Sequence, residues 1–105
     1  MAEPSPQDLV ADFLRAQNLE HVREVEAAVV LYEGAVEARF DSAGPYDRLI
    51  AIYQGRAAHA EVIRVSEAAL DHVRTHDDKR LWYRRLIADA QRALTEQPDP
   101  SGAEF

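Results

Sequence analysis

The chain has 105 residues, 47% of them apolar, and carries 19 acidic side chains against 12 Lys and Arg, so its net charge is −7. That length suits one small domain with its own core. The absence of cysteine excludes disulfide frameworks, zinc–thiolate sites and cysteine nucleophiles. The longest run of aliphatic residues, Ala27–Leu31, is five residues, whereas crossing a bilayer takes roughly 20. We therefore expect a soluble, cytoplasmic protein with no membrane partner.

Both ends of the chain have the composition of flexible tails. Residues 1–5 and 97–105 are rich in Pro, Ser, Gly and acidic residues, which offer little apolar surface to offset the entropy lost on ordering. Between them, apolar residues recur at helical spacing. The predicted organisation is a single helical domain over residues 6–96 with a flexible tail on either side.

The first two predicted helices lie before residue 41. Ser5 is a suitable N-cap for the first helix, and Pro6 is a suitable residue for its first turn. The apolar residues of the second helix reach Phe40, and the turn sequence 41–45 follows. The break between the two helices, at about 21–25, lacks proline, so one long bent helix is the alternative there.

Three further helices have the same apolar spacing. The third runs from about Pro45 to Arg56, the fourth contains the apolar residues of 62–73, and the fifth covers about 81–94. No window alternates strictly enough between apolar and polar residues to predict a strand. The sequence therefore predicts an all-α protein.

Helices two and three resemble helices four and five in sequence. A first shift, which places Ala28 on Val62, aligns the apolar and small residues of 28–36 with those of 62–70. A second shift, which places Tyr46 on Tyr83, aligns 46–54 with 83–91, where six of the nine residues are identical. Repeated helix pairs stack because each pair buries an apolar face that its neighbour exposes. The self-similarity therefore predicts an α-solenoid.

A helix-pair period of about 34 residues resembles the tetratricopeptide repeat. The best-matching unit is 43–76, in which Leu49 and Tyr53 stand at first-helix positions of the family. Ala57 takes the place of the usual turn glycine, whereas the second-helix aromatic and the closing proline are absent. Over residues 9–94 the resemblance implies a tetratricopeptide-like α-α solenoid of about five antiparallel helices, made of two degenerate helix-pair repeats and a capping helix.

In that family the first helices of successive pairs line a concave groove that receives a peptide or a helix. Polar side chains suit such a groove, since amides both donate and accept hydrogen bonds and arginine pairs with carboxylates. The alternative is that these positions are only the solvated faces of amphipathic helices. The predicted partner-binding residues are Gln17, Asp47, Gln54, Trp82, Arg84, Arg85, Gln91 and Arg92.

The aromatic residues are expected to supply affinity through apolar contacts around Tyr46, Trp82 and Tyr83. Trp82 is expected to pack onto the fourth helix; the alternative is an exposed anchor, since aromatic residues beside arginine are frequent in interface hot spots. Charge is also uneven, with 10 acidic and 3 basic residues in 1–47 and nine of each in 48–105. Complementary charge of this kind suggests a homo-oligomer as a further form of association.

The predicted function is a non-enzymatic protein–protein interaction module that binds a partner peptide or helix, or itself, through the concave face and the terminal helix. The alternative is a small regulatory helical protein that associates with nucleic acid through the basic helix 79–92, which has five basic residues and one acidic residue. Because the whole chain is acidic, nucleic acid is the less favoured partner.

Histidines raise the question of a metal site. His72 and His76 are four residues apart and share a helical face near several carboxylates, an arrangement able to bind zinc. Both stand at a helix carboxyl end, however, where the dipole favours histidine without a metal. The sequence has no glycine-rich phosphate loop and no nucleophile elbow. We therefore predict no catalytic residue, no metal and no cofactor.

Overall fold

A computed structural model describes residues 5–74 and 79–96 of the chain. Within these residues there are five α-helices and no strand, so the all-α prediction is confirmed. Apart from Ser5, the two predicted tails lie outside the described residues. The helices are α1 (Pro6–His21), α2 (Val25–Glu37), α3 (Ala43–Gly55), α4 (His59–His72) and α5 (Arg80–Glu96).

The start of α1 has the predicted cap. The Ser5 hydroxyl oxygen accepts a hydrogen bond from the Asp8 amide at 3.2 Å, and the Asp8 carboxylate accepts one from the Ser5 amide at 3.3 Å. These reciprocal bonds form a capping box that satisfies two amides at the helix start. Pro6 occupies the first turn, where its missing N–H leaves no helical bond unmade.

Helices α1, α2 and α3 end in the same way. The second residue after each helix takes the left-handed backbone conformation. The amide of the residue that follows it donates a hydrogen bond to a carbonyl five residues earlier. The break at 21–25 is therefore a true helix end, and the alternative of one long bent helix is wrong. The left-handed residues are Arg23 (φ 68°), Arg39 (φ 58°) and Ala57 (φ 53°).

The turn after α2 also moves two predicted boundaries. Because the chain turns at Arg39, α2 ends at Glu37 and Phe40 lies beyond it, rather than inside the helix as predicted. Helix α3 then begins at Ala43, slightly before the predicted start at Pro45.

Each helix packs against the next one in the chain, and α2 also contacts α4. The core contains buried residues from all five helices. Two pairs of residues that the sequence shifts align are similarly buried. Tyr46 and Tyr83, related by the second shift, are both at most 1% exposed, and Ala35 and Ala69, related by the first, are both buried. These two pairs of self-similar positions are therefore similarly buried.

None of the helices in the described part of the chain combines the length and apolar character needed to cross a membrane. The cytoplasmic location stays a prediction from the sequence.

Candidate partner-binding surface

Two carboxylates connect the odd-numbered helices. Glu20 near the end of α1 accepts hydrogen bonds from two nitrogens of Arg48 on α3, the Nε at 2.9 Å, and from the Tyr32 hydroxyl at 2.7 Å. Asp47 on α3 accepts a bond from the Tyr83 hydroxyl on α5 at 2.8 Å. Side chains thus link α1 to α3 and α3 to α5.

The first of these links fixes the charge state of its members. The hydrogen bond from Arg48 lowers the pKa of Glu20, against the opposing effect of burial, and the same bond raises the pKa of Arg48. Burial, followed by the bond to Glu20, raises the pKa of Tyr32. At neutral pH the link therefore consists of a carboxylate, a guanidinium and a neutral phenol donor.

A similar arrangement joins the three middle helices. Glu33 on α2 accepts hydrogen bonds from the Tyr53 hydroxyl on α3 and from Arg64 on α4, whose Nη1 lies at 3.1 Å. Burial raises the pKa of Tyr53 to about 12. Tyr53 and Arg64 connect helices, so their raised pKa values have a structural explanation.

Asp47, a predicted partner-binding residue, has such a connecting role. Its carboxylate accepts the bonds of Tyr83 and Lys79, and its side chain is 26% exposed. The expected contacts of Tyr46 and Tyr83 with a partner are wrong, because both side chains are buried in the core. Tyr46 donates instead to the Phe40 carbonyl at 2.8 Å.

Trp82 lies outside the core. Its side chain is 41% exposed, its ring centroid is 5.2 Å from that of Tyr83, and Lys79 Nζ is 4.7 Å from the centroid of its ring. Its exposure agrees with the alternative of an exposed tryptophan. The aromatic and cationic neighbours of Trp82 belong to the start of α5, which leaves much of the indole on the surface.

A cleft of about 250 Å³ opens between α3, α4 and α5. It contains one predicted residue, Gln54, at the end of α3. The sequence analysis did not single out the other lining residues. A signal was present, because the second shift aligns the large Tyr53 with the small Ala90, which leaves a smaller side chain at the equivalent position of α5. The lining residues are Gln54, His59, Val62, Leu86, Asp89 and Ala90.

The remaining predicted residue of the first half lies elsewhere. Gln17 on α1 lines a separate, shallow polar depression with Glu20, His21 and Arg48. Because Glu20 and Arg48 bind each other, Gln17 and His21 provide the exposed polar groups of this depression. The structure therefore places Gln17 and Gln54 in two separate depressions, and no residue lines both.

The predicted residues of α5 are exposed but differ in their contacts. Within 5–74 and 79–96, neither Arg84 nor Arg85 forms an ion pair, and Gln91 is also exposed. Three other basic residues of the segment 79–92 have partners, so only part of its positive charge is available to a ligand. These pairs are Lys79 with Asp47, Arg80 with the Leu70 carbonyl, and Arg92 with Asp89 at 3.3 Å.

The histidine pair considered for metal binding is only partly described. His76 lies outside the described residues, while His72 Nδ1 is 2.9 Å from the Tyr46 hydroxyl. Among the residues that the structure describes, no three potential ligands from His, Cys, Asp and Glu converge.

Comparison of the chain with family models, with curated proteins and with solved structures finds no match. The resemblance to the tetratricopeptide repeat therefore depends on the residues quoted above.

Proposed function

We propose that this chain is a non-enzymatic protein–protein interaction module with a tetratricopeptide-like stack of helix pairs. The spacing of the left-handed turns at Arg23 and Ala57 supports the stack, because it equals the first sequence shift, which relates the second helix to the fourth. Two backbone hydrogen bonds recur at the same interval: the Glu24 amide donates to the Leu19 carbonyl, and the Ala58 amide donates to the Tyr53 carbonyl. Equivalent turns favour equivalent helix pairs.

The surface of α3 and α5 carries the functional part of the proposal. There a cleft with an apolar base, formed by Val62, Leu86 and Ala90, lies beside the exposed amide of Gln54. Binding sites generally combine an apolar depression with a few polar groups that fix orientation. A protein segment with one apolar side chain and a free backbone group suits this combination.

The proposed function is non-enzymatic because the ionisable groups with shifted pKa values form contacts between helices. Shifted pKa values mark candidate catalytic residues when the groups line a cleft. Here the shifted groups Glu20, Tyr53 and Tyr83 each have a partner on another helix. The contact with Arg48 lowers the pKa of Glu20 against the effect of burial, whereas burial and then the contact raise the pKa values of the two tyrosines. Their role in packing the helices supports a binding function over an acid–base one.

Affinity capture from the native host with charge-reversed variants tests the proposal. Arg84→Glu with Arg92→Glu is expected to abolish capture of the partner while the circular dichroism spectrum stays helical. Arg15→Glu with Arg74→Glu makes the same change in net charge at exposed residues outside α5 and is expected to leave capture intact. Capture that survives the α5 substitutions would show that the binding surface lies elsewhere.

Filter binding at two salt concentrations separates this proposal from nucleic-acid association. Contacts between cationic side chains and phosphates weaken steeply as salt rises. Since Lys79, Arg80 and Arg92 are engaged within the protein, we expect no retention of nucleic acid at physiological salt. Salt-sensitive retention that is lost on Arg84→Glu would favour the nucleic-acid function instead.

A further inference from the structure

We propose that two copies of this chain form a symmetric dimer through α5, in which Trp82 of each copy enters the cleft beside Ala90 of the other. The proposal rests on the protein-binding function above and names a second copy as the partner. The cleft lacks an aromatic ring, and α5 exposes one that lies away from the Ala90 end of its own cleft. The contact between two copies is self-complementary.

An internal comparison shows what the cleft lacks. The second shift relates the cleft residue Ala90 to Tyr53, and the first relates Val62 to Ala28. Tyr53 is a half-buried aromatic residue that packs against the core and donates its hydroxyl to Glu33 on the neighbouring helix. The cleft therefore corresponds to a position that the preceding helix pair fills with an aromatic side chain.

Helix α5 exposes an aromatic side chain on the same face as the cleft. Trp82 precedes Leu86 by four residues and Asp89 by seven, so the three share one face of the helix. Leu86 and Asp89 line the cleft, and Trp82 is 41% exposed. A tryptophan in this position offers a large apolar area, and such residues often dominate an interface.

In its own copy, Trp82 lies away from the end of the cleft that Ala90 lines. Eight residues separate it from Ala90 on one continuous helix, a distance of about 12 Å along the axis at 1.5 Å per residue. Its indole also lies against Lys79 and Tyr83, toward the start of the helix. In the proposed dimer, the ring that enters the cleft beside Ala90 therefore comes from the other molecule.

An antiparallel crossing of two α5 helices near Leu86 supplies that ring twice. It places Trp82 opposite the partner's Ala90 and Arg85 within two residues, about 3 Å along the axis, of the partner's Asp89. The two-fold axis repeats both contacts. Arg85 is exposed, and Asp89 has only the exposed pair with Arg92 at 3.3 Å within the described part of its own copy. The paired charges are opposite in sign, so the arrangement is self-complementary.

Sedimentation equilibrium of the full chain over a range of concentrations tests the dimer. Trp82→Ala is expected to weaken dimerisation by about a hundredfold or more, because a hot-spot contact is lost at two places in each dimer. Leu81→Ala is the matched control, since it truncates the neighbouring residue, which is 76% exposed, on a different face of α5. A wild-type protein that is monomeric throughout, or a dimer unaffected by Trp82→Ala, would overturn the proposal.

Charge exchange provides a second test that leaves the aromatic residue in place. Arg85→Asp alone places like charges near each other twice and is expected to disrupt the dimer. Combining it with Asp89→Arg restores opposite charges and is expected to restore the dimer. Failure of the double variant to dimerise, when its circular dichroism matches the wild type, would contradict the antiparallel register.

A third variant fills the cleft from within. Ala90→Tyr introduces at the cleft the residue found at the equivalent position 53, and it is expected to give a folded monomer. A folded Ala90→Tyr variant that still dimerises contradicts the proposal. The general binding function would survive that result if Arg84→Glu with Arg92→Glu still abolished capture of another protein, so the two failures are distinguishable.

Discussion

Arg48 on α3 holds both carboxylate oxygens of Glu20 on α1, 28 residues earlier in the chain. The Glu20 side chain is only 18% exposed, and its Oε1 also accepts the Tyr32 hydroxyl. A guanidinium bound to both oxygens of one carboxylate has a fixed geometry as well as a favourable charge interaction. This contact therefore sets the position of α1 relative to α3.

We expect Arg48→Met to lower the free energy of unfolding by about 1–2 kcal/mol, because it leaves a largely buried carboxylate without its cation. The control is Arg39→Met, which breaks the ion pair with Asp71 on the surface, where both side chains are more than 60% exposed. Such exposed pairs contribute about 0–1 kcal/mol. Urea denaturation followed by circular dichroism measures both variants, and equal losses would contradict a structural role for the Glu20 link.

Because of the left-handed turn after α3, we expect the substitution of alanine by glycine to have opposite effects on stability at two positions. Ala57 has φ 53°, a conformation that is unfavourable for a residue with a Cβ atom and easy for glycine. We expect Ala57→Gly to raise the free energy of unfolding by about 0.5–1 kcal/mol. Ala51→Gly, at an exposed position inside α3, is expected to lower it by about 1 kcal/mol.

Thermal unfolding of the two glycine variants is a direct measurement of this difference. Since both start from alanine, the change in side-chain volume is the same, and only the backbone conformation differs. A lower midpoint for Ala57→Gly than for the wild type would show that the turn is unstrained.

The helices could be predicted because their evidence is local. The apolar spacing along each helix and the cap at Ser5 depend on residues within one or two turns of each other. The end of α2 could not, since the left-handed conformation at Arg39 occurs in a residue other than glycine. Nothing in the sequence around it marks Glu37, rather than Phe40, as the last helical residue.

The surroundings of the predicted partner-binding residues were predicted less well because they depend on contacts between distant residues. Asp47 is polar and was expected to face a partner, but its carboxylate binds Tyr83, 36 residues away. Trp82 is apolar and was expected to pack onto the fourth helix, yet it is exposed, and Tyr83 beside it is buried in the core. On α5, a shift of one position along the helix decides which of the two adjacent aromatic side chains is buried.

Ser66 is a buried polar residue whose hydroxyl has no hydrogen-bond partner among the described residues. It is 0% exposed and corresponds, by the first shift, to Tyr32, whose hydroxyl is bonded to Glu20. Because burying an unbonded hydroxyl costs about 1–3 kcal/mol, we expect Ser66→Ala to raise the free energy of unfolding by about 1 kcal/mol. The change is measured by urea denaturation.

Ser42→Ala is the control for that measurement. Ser42 precedes α3, is only partly buried and makes no side-chain bond in the helix cap. We expect a change of less than about 0.5 kcal/mol there. Destabilisation by Ser66→Ala would indicate that the hydroxyl makes a bond that stabilises the fold.

The bond between Tyr46 and His72 predicts how stability depends on pH. The Tyr46 hydroxyl has one proton, which it donates to the Phe40 carbonyl, so the bond at 2.9 Å requires a proton on His72 Nδ1. The other ring nitrogen, Nε2, lies 3.6 Å from Asp71 and takes up the second proton on acidification. Burial, and then the charge of Arg39, lower the pKa of His72 below 6.5, although Asp71 acts in the opposite direction.

Because the pKa of His72 is lower in the folded state, protonation favours the unfolded state. Its contribution to stability is therefore complete above about pH 6.5 and declines as the pH falls through and below that value. We expect the free energy of unfolding to decrease between pH 7 and pH 5, a range above the ordinary pKa of 4.5 for Glu20, whose pKa is lowered further. Urea denaturation at successive pH values should show a smaller decrease for His72→Gln, whereas His21→Gln, at an exposed residue remote in sequence from Tyr46, should retain the wild-type slope. Identical slopes for wild type and His72→Gln would mean that protonation of His72 does not oppose folding.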